Sequence, residues 1–506
     1  MNIKIKSALI SVYHKDGLDE IIDLLYRNGI TIYSTGGTRT YIESLNVPVR
    51  RVEDLTGYPS IIEGRVKTLH PKVFGGILAI RDPQYLSELE KYDIPTFDLV
   101  VVDLYPFEDA WHEKASHQSM IEKIDIGGVS LIRAAAKNYH DVVVIPSKNE
   151  YGLLKTILAE QHASATQEQR SDLSIAAFRI TSAYDLMISS YLAGKDMRHF
   201  NPIAYGERKL RYGENPHQEA SFFGNSDDIF EQLSGKELSY NNLVDMDAAV
   251  SLIREFPAQR PAFAIIKHTN TCGVAVRSTV SEAWDAALAG DSVSAFGGIL
   301  ITNSMIDKET ARKIDQIFYE VLLAPGFEEG VVELLAKKPN RTLIRVKDLK
   351  EPAQSFKHIL NGIIVQDIDK VQDESPLFAV KTKVSPTNVE VEDLNFAVKC
   401  VKHLKSNAIV LAKNNQLLGM GCGQTSRVDA CKQAIEKAKY FGFDLQGAVM
   451  ASDAFFPFPD IVGLAHNEGI MAIVQPGGSI KDQLSIDYCD EHGMSMVFSG
   501  IRHFKH

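Results

Sequence analysis

Apolar residues along this chain follow two rhythms. Through the first 146 residues, short unbroken apolar runs alternate with stretches that place an apolar residue every three or four positions. SALISVY (7–13), ITIYS (30–34), FDLVVVDLYPF (97–107) and DVVVIPS (141–147) are of the first kind. GLDEIIDLLYRN (17–28), TRTYIESL (38–45) and GGVSLIRAAAKNY (127–139) are of the second. Strands that are apolar throughout are buried on both faces, so the pattern predicts a parallel sheet covered by helices. From about 149 to 195 the pattern is helical, and MRHFNPIAYGERK (197–209) reads as a linker.

Beyond the linker a weak internal repeat emerges. AFAIIKHTNTCGVAV (262–276), SEAWDAALAG (281–290) and GGILITN (297–303) make one copy. SNAIVLAKNNQLLGMGCGQ (406–424), VDACKQAIEKAKY (428–440) and GAVMASDAFF (447–456) make the other. Each reads strand, turn, strand, helix, strand, which predicts a duplicated α/β unit. A chain of 506 residues exceeds what one core holds, so several domains are expected in any case.

Composition narrows the partners. Hydrophobic residues make up 45% and charged residues 24%, as in ordinary globular proteins. No run approaches the roughly 18 apolar residues of a membrane span, and the N-terminus has no small-residue cleavage site, so neither membrane nor signal peptide is expected. A net charge of −11 argues against nucleic acid while leaving room for small anionic substrates. Five scattered cysteines (272, 400, 422, 431 and 489) have no zinc-like spacing. Reduced thiols, a cytoplasmic location and no metal site are therefore expected.

Several stretches concentrate chemistry. YSTGGTRT (33–40) sets Ser34, Thr35, Gly36 and Gly37 between a strand and a helix, where free N–H groups and close backbone approach suit a phosphate; a plain capped βα turn fits equally well. EGRVKTLHPKVFGG (63–76) crowds Arg65, Lys67, Thr68, His70 and Lys72 ahead of a Gly-Gly pair, after which an apolar strand is expected. Tyr105 follows a central strand at the edge where open α/β sheets bind ligands. Asp125 stands near a helix start, with Arg133 and Lys137 sharing a face further along. Together these residues could hold an acid–base pair and an oxyanion donor, although Lys137 taken singly is a surface lysine.

In the second half, LRYGENPHQ (210–218) carries Arg211 and Tyr212, and LSYNNLVDMDAA (238–249) offers Asn242 just before a helix. Asn407, Arg427, Asp453 and Phe455 follow, and the chain ends GIRHFKH with Arg502, Phe504 and His506. Lys267 and His268 close the apolar strand AFAIIK. Adjacent strand residues point to opposite faces, so the two reach one pocket only where the strand ends or bulges.

In order along the chain, STGGT, EGRVKTLHPK, DLYPF, IDIGG, LRYGENPHQ, KH-x-N, SAFGG, LAPGFEE, GQ-x-SRVD, SDAFFPF and RHFKH resemble the motifs of one family. It is the bifunctional purine-biosynthesis family that joins aminoimidazole carboxamide ribonucleotide (AICAR) formyltransferase to inosine monophosphate (IMP) cyclohydrolase. The resemblance implies an α/β architecture: a methylglyoxal-synthase-like cyclohydrolase domain (1–146), a helical connector (147–200) and a formyltransferase domain (201–506). The last is a duplicated, cytidine-deaminase-like α/β/α unit with repeats at about 201–375 and 376–506, lacking the zinc signature of the deaminases.

By the same resemblance, Ser11, Lys15, Ser34, Thr35, Gly36, Gly37, Arg65 and Thr68 hold the nucleotide for ring closure, and Lys67, Tyr105, Asp125 and Lys137 perform it. His268 is the base for formyl transfer from 10-formyltetrahydrofolate. Lys267 and Asn407 assist it, and Arg211, Tyr212, Asn242, Arg427, Phe455, Arg502 and His506 bind the nucleotide. The implied ligands are AICAR, its formylated product (FAICAR), IMP and reduced folate. The implied assembly is a homodimer, and a bound monovalent cation is left open. Three positions depart from the family's pattern: Asp103 for Asn, Thr271 for Pro after KH-x-N, and Pro459 for Arg after DAFFPF. A formyltransferase with a merely regulatory N-terminal domain, and a zinc-free deaminase, are the rival readings.

Overall fold

Ala8, Leu9 and Ile10 have no solvent exposure, because the strand that carries them has a parallel neighbour on each side. This strand, β1 (Ser7–Ser11), begins the sheet of the first of two units, Met1–Glu207 and Arg208–His506. The computed structural model describes residues 2–59, 61, 66–194, 207–347, 352–372 and 377–506.

In the first unit, β1 leads through α1 (Leu18–Arg27) to β2 (Thr31–Ser34), α2 (Gly36–Ser44) and β3 (Arg50–Arg51). After α3 (Pro71–Leu78) come β4 (Leu99–Val102), α4 (Gly127–Lys137) and β5 (Val143–Ile145). The strands are all parallel in the order β3-β2-β1-β4-β5. Chain direction across the sheet reverses between β1 and β4, and ligands of such sheets bind outside the carboxyl ends at that switch. The helical stretch after β5 packs back onto this unit. Its α5 (Gln167–Ala193) opens with a capping box of Thr166 and Gln169 and lies against α4 and β5.

One expectation fails here. The Gly-Gly pair at 75–76 does not precede a strand but lies inside α3, which His70 caps and Pro71 begins. A Cβ at Gly76 would collide with the Pro95 carbonyl, so glycine serves close helix-to-backbone packing rather than a turn.

The second unit is a twelve-stranded sheet among its described residues. Its first half comprises β6 (Phe230–Ser234), α6 (Tyr240–Ile253), β7 (Ala262–Lys267), β8 (Asn270–Val276), α7 (Val280–Gly290), β9 (Ile299–Thr302), β10 (Val321–Ala324) and β11 (Thr342–Val346). Its second half comprises β12 (Ala379–Val380), α8 (Asn388–Lys402), β13 (Ile409–Lys413), β14 (Gln416–Gly421), α9 (Arg427–Tyr440), β15 (Val449–Ser452), β16 (Ala472–Gln475) and β17 (Ser495–Phe498). The spatial order is β6-β11-β10-β9-β7-β8-β14-β13-β15-β16-β17-β12. Reading outward from the central β8–β14 pair gives the same sequence of parallel and antiparallel contacts on both sides. The expected duplication is present in full.

Candidate active sites

The carboxyl edge of the first sheet opens into a cavity of about 750 Å³. Ser11 reaches it from the end of β1 and Lys15 from the loop beyond. Thr35, Gly36 and Gly37 come from the start of α2, and Lys67 and Thr68 from the segment before α3. Tyr105 follows β4, while Asp125, Gly127 and Gly128 begin α4. These residues are far apart in sequence; the sheet's switch point collects them.

Local chemistry fixes their states. Asp125 Oδ1 accepts from Gly128 N at 2.7 Å, an approach that a Cβ at Gly128 would block. Burial raises the Asp125 pKa above the usual carboxylate value, against the lowering effect of backbone donors at Gly128 and Tyr105. Burial and the nearby Asp125 also raise the Tyr105 phenol, which stays protonated and able to donate. The Lys15 ammonium is lowered by burial while Asp103 pulls the other way, and its Nζ donates to the Tyr13 carbonyl at 2.9 Å. A Cβ on Gly36 would stand 3.2 Å from Lys67 Nζ, so that ammonium sits beside the N-terminus of α2. A cation, free helix N–H groups and a carboxyl of raised pKa in one cavity can bind an anion and move a proton.

Three assignments meet a different outcome. Ser34 is wholly buried and its Oγ donates to Ile10 O at 2.8 Å, so it ties β2 to β1 and does not line the cavity. Lys137 is exposed at the far end of α4, about 14 Å along the helix from Gly128, and does not line the cavity either. Arg65 lies outside the described residues. The departure at Asp103 is absorbed locally: its carboxylate accepts from Tyr13 N and from His14 N at 3.0 Å, and meets His14 Nδ1 at 2.8 Å. Tyr13 and Lys123 also line the cavity, with Lys123 Nζ 4.7 Å from the Tyr13 ring centroid. Neither lies in a motif that would have disclosed it.

In the second unit, Lys267 ends β7 and Asn270 begins β8, leaving His268 and Thr269 as a two-residue hairpin turn. Both have positive φ, 51° and 61°, as a type I′ turn requires. The strand thus ends where the adjacent Lys–His pair needed it to end. Thr271, the departure that follows, pairs with Ile266 between the turn and a bulge at Cys272. Lys267 Nζ donates to Phe296 O at 2.7 Å, while the His268 ring is exposed.

A chain of contacts joins this turn to Asn407. Asn270 Nδ2 donates to His268 O at 2.9 Å, and Asn270 Oδ1 faces Cys422 Sγ at 3.2 Å. Two residues on, Gln424 O accepts from Asn407 Nδ2 at 2.9 Å. Ser406 in turn holds the C-terminal segment, donating from its N to Lys505 O at 2.9 Å. That segment carries Phe504, whose ring lies 4.4 Å from the Arg502 guanidinium and 5.8 Å from that of Arg427. Arg427 Nη2 pairs with the fully buried Asp453 at 3.3 Å, and Phe455 stands two residues further on. His506 packs near Phe504, 6.0 Å between ring centroids. Lys267, His268, Asn407, Arg427, Arg502 and His506 are therefore joined by one chain of contacts.

Asn242 is buried, and its side chain is spent on contacts within the fold. Rather than preceding a helix, it is the third residue of α6, where it forms a capping box with Ser239 and donates to Glu320 at 2.7 Å. Arg211 and Tyr212 pack on each other, 5.4 Å from guanidinium to ring centroid, beside a separate ribbon of Glu207–Lys209 with Ser221–Phe223.

Comparison with known proteins gives matches over the whole length. The family model described as "AICARFT/IMPCHase bienzyme" matches residues 135–437, and that described as "MGS-like domain" matches residues 17–130. A Bacteroides thetaiotaomicron protein named "Bifunctional purine biosynthesis protein PurH" is 57% identical over 505 residues, covering 99% of each chain. An Aquifex aeolicus protein of the same name is 47% identical over 513 residues, covering 99% of this chain and all of that one. The solved structure titled "Crystal structure of ForH" is 32% identical, covers 37% of this chain and 99% of its own, and superposes with a TM-score of 0.33, too low to bear on the fold.

Proposed function

The chain belongs to the AICARFT/IMPCHase bienzyme family, and from that membership we propose how its residues divide two reactions between two sites. The enzyme is a phosphoribosylaminoimidazolecarboxamide formyltransferase and an IMP cyclohydrolase, and it performs the last two steps of IMP synthesis with a folate-derived formyl donor. We assign cyclisation to residues 1–146, a connector to 147–200 and formyl transfer to 201–506, with repeats at about 201–375 and 376–506.

For ring closure, the carboxamide nitrogen of FAICAR attacks the formyl carbon, and the tetrahedral oxyanion then loses water. Asp125 takes the nitrogen's proton, the Lys67 ammonium faces the oxyanion, and the Tyr105 phenol returns a proton to the departing oxygen. Ser11, Lys15, Thr35, Gly36, Gly37 and Thr68 hold the nucleotide. Support comes from the raised pKa values of Asp125 and Tyr105 in one cavity with three lysines, Lys15, Lys67 and Lys123.

For formyl transfer, the conjugated 5-amino group of AICAR is a poor nucleophile and needs a base during attack. His268 takes its proton as the nitrogen bonds to the formyl carbon of 10-formyltetrahydrofolate. Lys267 stabilises the tetrahedral anion and aids the departing folate nitrogen, while Asn407 orients the formyl oxygen. Arg427, Phe455, Arg502 and His506, with Arg211 and Tyr212, bind the nucleotide. The observation that carries this reading is the hairpin turn that presents Lys267 and His268 together, linked through Asn270 and Cys422 to Asn407.

His268→Ala is expected to lower formyl transfer by about 10²–10⁴-fold while pre-formylated substrate still cyclises. Lys67→Ala is expected to do the reverse. Loss of both activities in either variant, with the fold intact, would overturn the division of labour.

A homodimer is part of the proposal. The ribbon of Gln354–Ile359 with Gly362–Asp367 exposes Phe356, Leu360, Ile364 and Val365, and a two-stranded ribbon is marginal in water without cover. Light scattering should give twice the chain mass, and Ile364→Glu should lower it; a monomeric parent enzyme would refute the assembly. We also place the enzyme in the cytoplasm, where its five free thiols stay reduced; recovery in another compartment on cell fractionation would overturn that.

A further inference from the structure

Two turns in the formyltransferase unit are built alike. His268–Thr269 joins β7 to β8, and Asn414–Asn415 joins β13 to β14; all four residues have φ between 51° and 61°. A bulge follows each turn on the second strand, with Cys272 the extra residue opposite Ile265/Ile266 and Leu418 opposite Leu411/Ala412. Under each turn lies the sixth residue of a helix, Asp245 in α6 and Asp393 in α8. Asp393 accepts from Asn414 N at 2.9 Å and Asn415 N at 2.6 Å. Asp245 accepts from His268 N at 3.3 Å and Thr269 N at 2.7 Å.

The difference between the copies lies in what the turn is made of. Asparagine tolerates the left-handed region, so Asn414 and Asn415 favour their turn unaided. Histidine tolerates it too, but a β-branched threonine at φ 61° is strained. Such a turn persists only where its surroundings over-determine it. Here the Asp245 carboxylate holds both central N–H groups. The His268 carbonyl is gripped from the other side by Thr269 Oγ1 at 2.7 Å and Asn270 Nδ2 at 2.9 Å. The backbone of His268 is clamped above and below while its ring remains exposed.

We propose that Asp245 is a positioning residue for formyl transfer: its carboxylate clamps the turn and thereby sets where the His268 imidazole meets the substrate amine. Asp393 is the same device under a turn without chemistry. The inference rests on His268 as the base. A displacement of about 1 Å in a reacting group costs on the order of 10²-fold, so the role belongs in kcat rather than in nucleotide affinity.

The test uses the full-length enzyme with AICAR and 10-formyltetrahydrofolate. Asp245→Asn keeps the shape but places an NH2 where one turn N–H must be accepted. It should lower kcat for formyl transfer about 10–100-fold, leave KM for AICAR within about twofold, and spare cyclisation of pre-formylated substrate. Adding Thr269→Gly, which removes the cost of positive φ, should restore part of the lost kcat. Asp393→Asn should lower the melting temperature and leave kcat unchanged. The proposal falls if folded Asp245→Asn keeps kcat within about twofold, if Thr269→Gly rescues nothing, or if Asp393→Asn costs as much kcat. Full formyl transfer by His268→Ala would instead refute the base assignment, and would do so without reference to Asp245.

Discussion

Asp125 shows how far a single side chain is readable before folding. Its motif and its place near a helix start are visible in IDIGG, but its raised pKa comes from burial in a cavity that five distant segments enclose. If it acts as the base, ring closure needs its ionised form. The rate should therefore fall with decreasing pH through a value above the ordinary carboxylate range of about 4. A pH–rate profile for cyclisation should show that limb, and Asp125→Asn should remove it along with most of the rate. A profile flat from pH 4 to 7 would deny Asp125 the role. Ser34 shows the converse, since a hydroxyl beside a glycine pair reads as a phosphate ligand until Ile10 O is found to take its hydrogen bond.

At the scale of elements, patterning was a sound guide wherever one face or both were buried. The apolar runs became β1, β2, β4 and β5, and the helix-period stretches became α1, α2 and α4. It failed at 71–78, where two glycines before an apolar run look like a turn and a strand. That stretch is a helix started by His70 and Pro71, and it packs against Pro95 and Phe97 so closely that position 76 admits no Cβ. Gly76→Ala should cost about 1–3 kcal/mol in a urea titration; an unchanged midpoint would mean that the contact is not tight. The hairpin clamp was also hidden, because Asp245 and Asp393 lie outside the stretches whose similarity is visible by eye.

At the scale of the whole second unit, a buried charge cluster links the two halves of the duplicated sheet. Glu255, just past α6, meets His403 and Lys402 at the end of α8, with both nitrogens 2.9 Å from its Oε1 and all three side chains nearly buried. Burial alone would raise the Glu255 carboxyl, but hydrogen bonds from His403 and Lys402 outweigh it and bring the pKa down to about 2. Burial also lowers the His403 imidazole. A carboxyl held below its unfolded value stabilises the fold above about pH 4.5, and that contribution is lost as pH falls towards 2. A depressed histidine acts in the same direction from about pH 6.5 downward. The contribution from Glu255 is roughly 3 kcal/mol. Glu255→Gln should therefore destabilise the enzyme near neutrality and flatten its loss of stability in acid. Parallel pH dependence of melting in variant and parent would refute the linkage.

The sequence alone determined the alternation of strands and helices, the duplication, the two chemical neighbourhoods and the family, because these depend on residue type, period and order along the chain. Tertiary structure alone decided that Lys137 and Ser34 stand away from the cavity, that Asn242 serves a helix cap, and that carboxylates at 245 and 393 brace two hairpin turns. Each of those outcomes depends on which distant backbone groups come within hydrogen-bonding range, and local pattern carries no record of that.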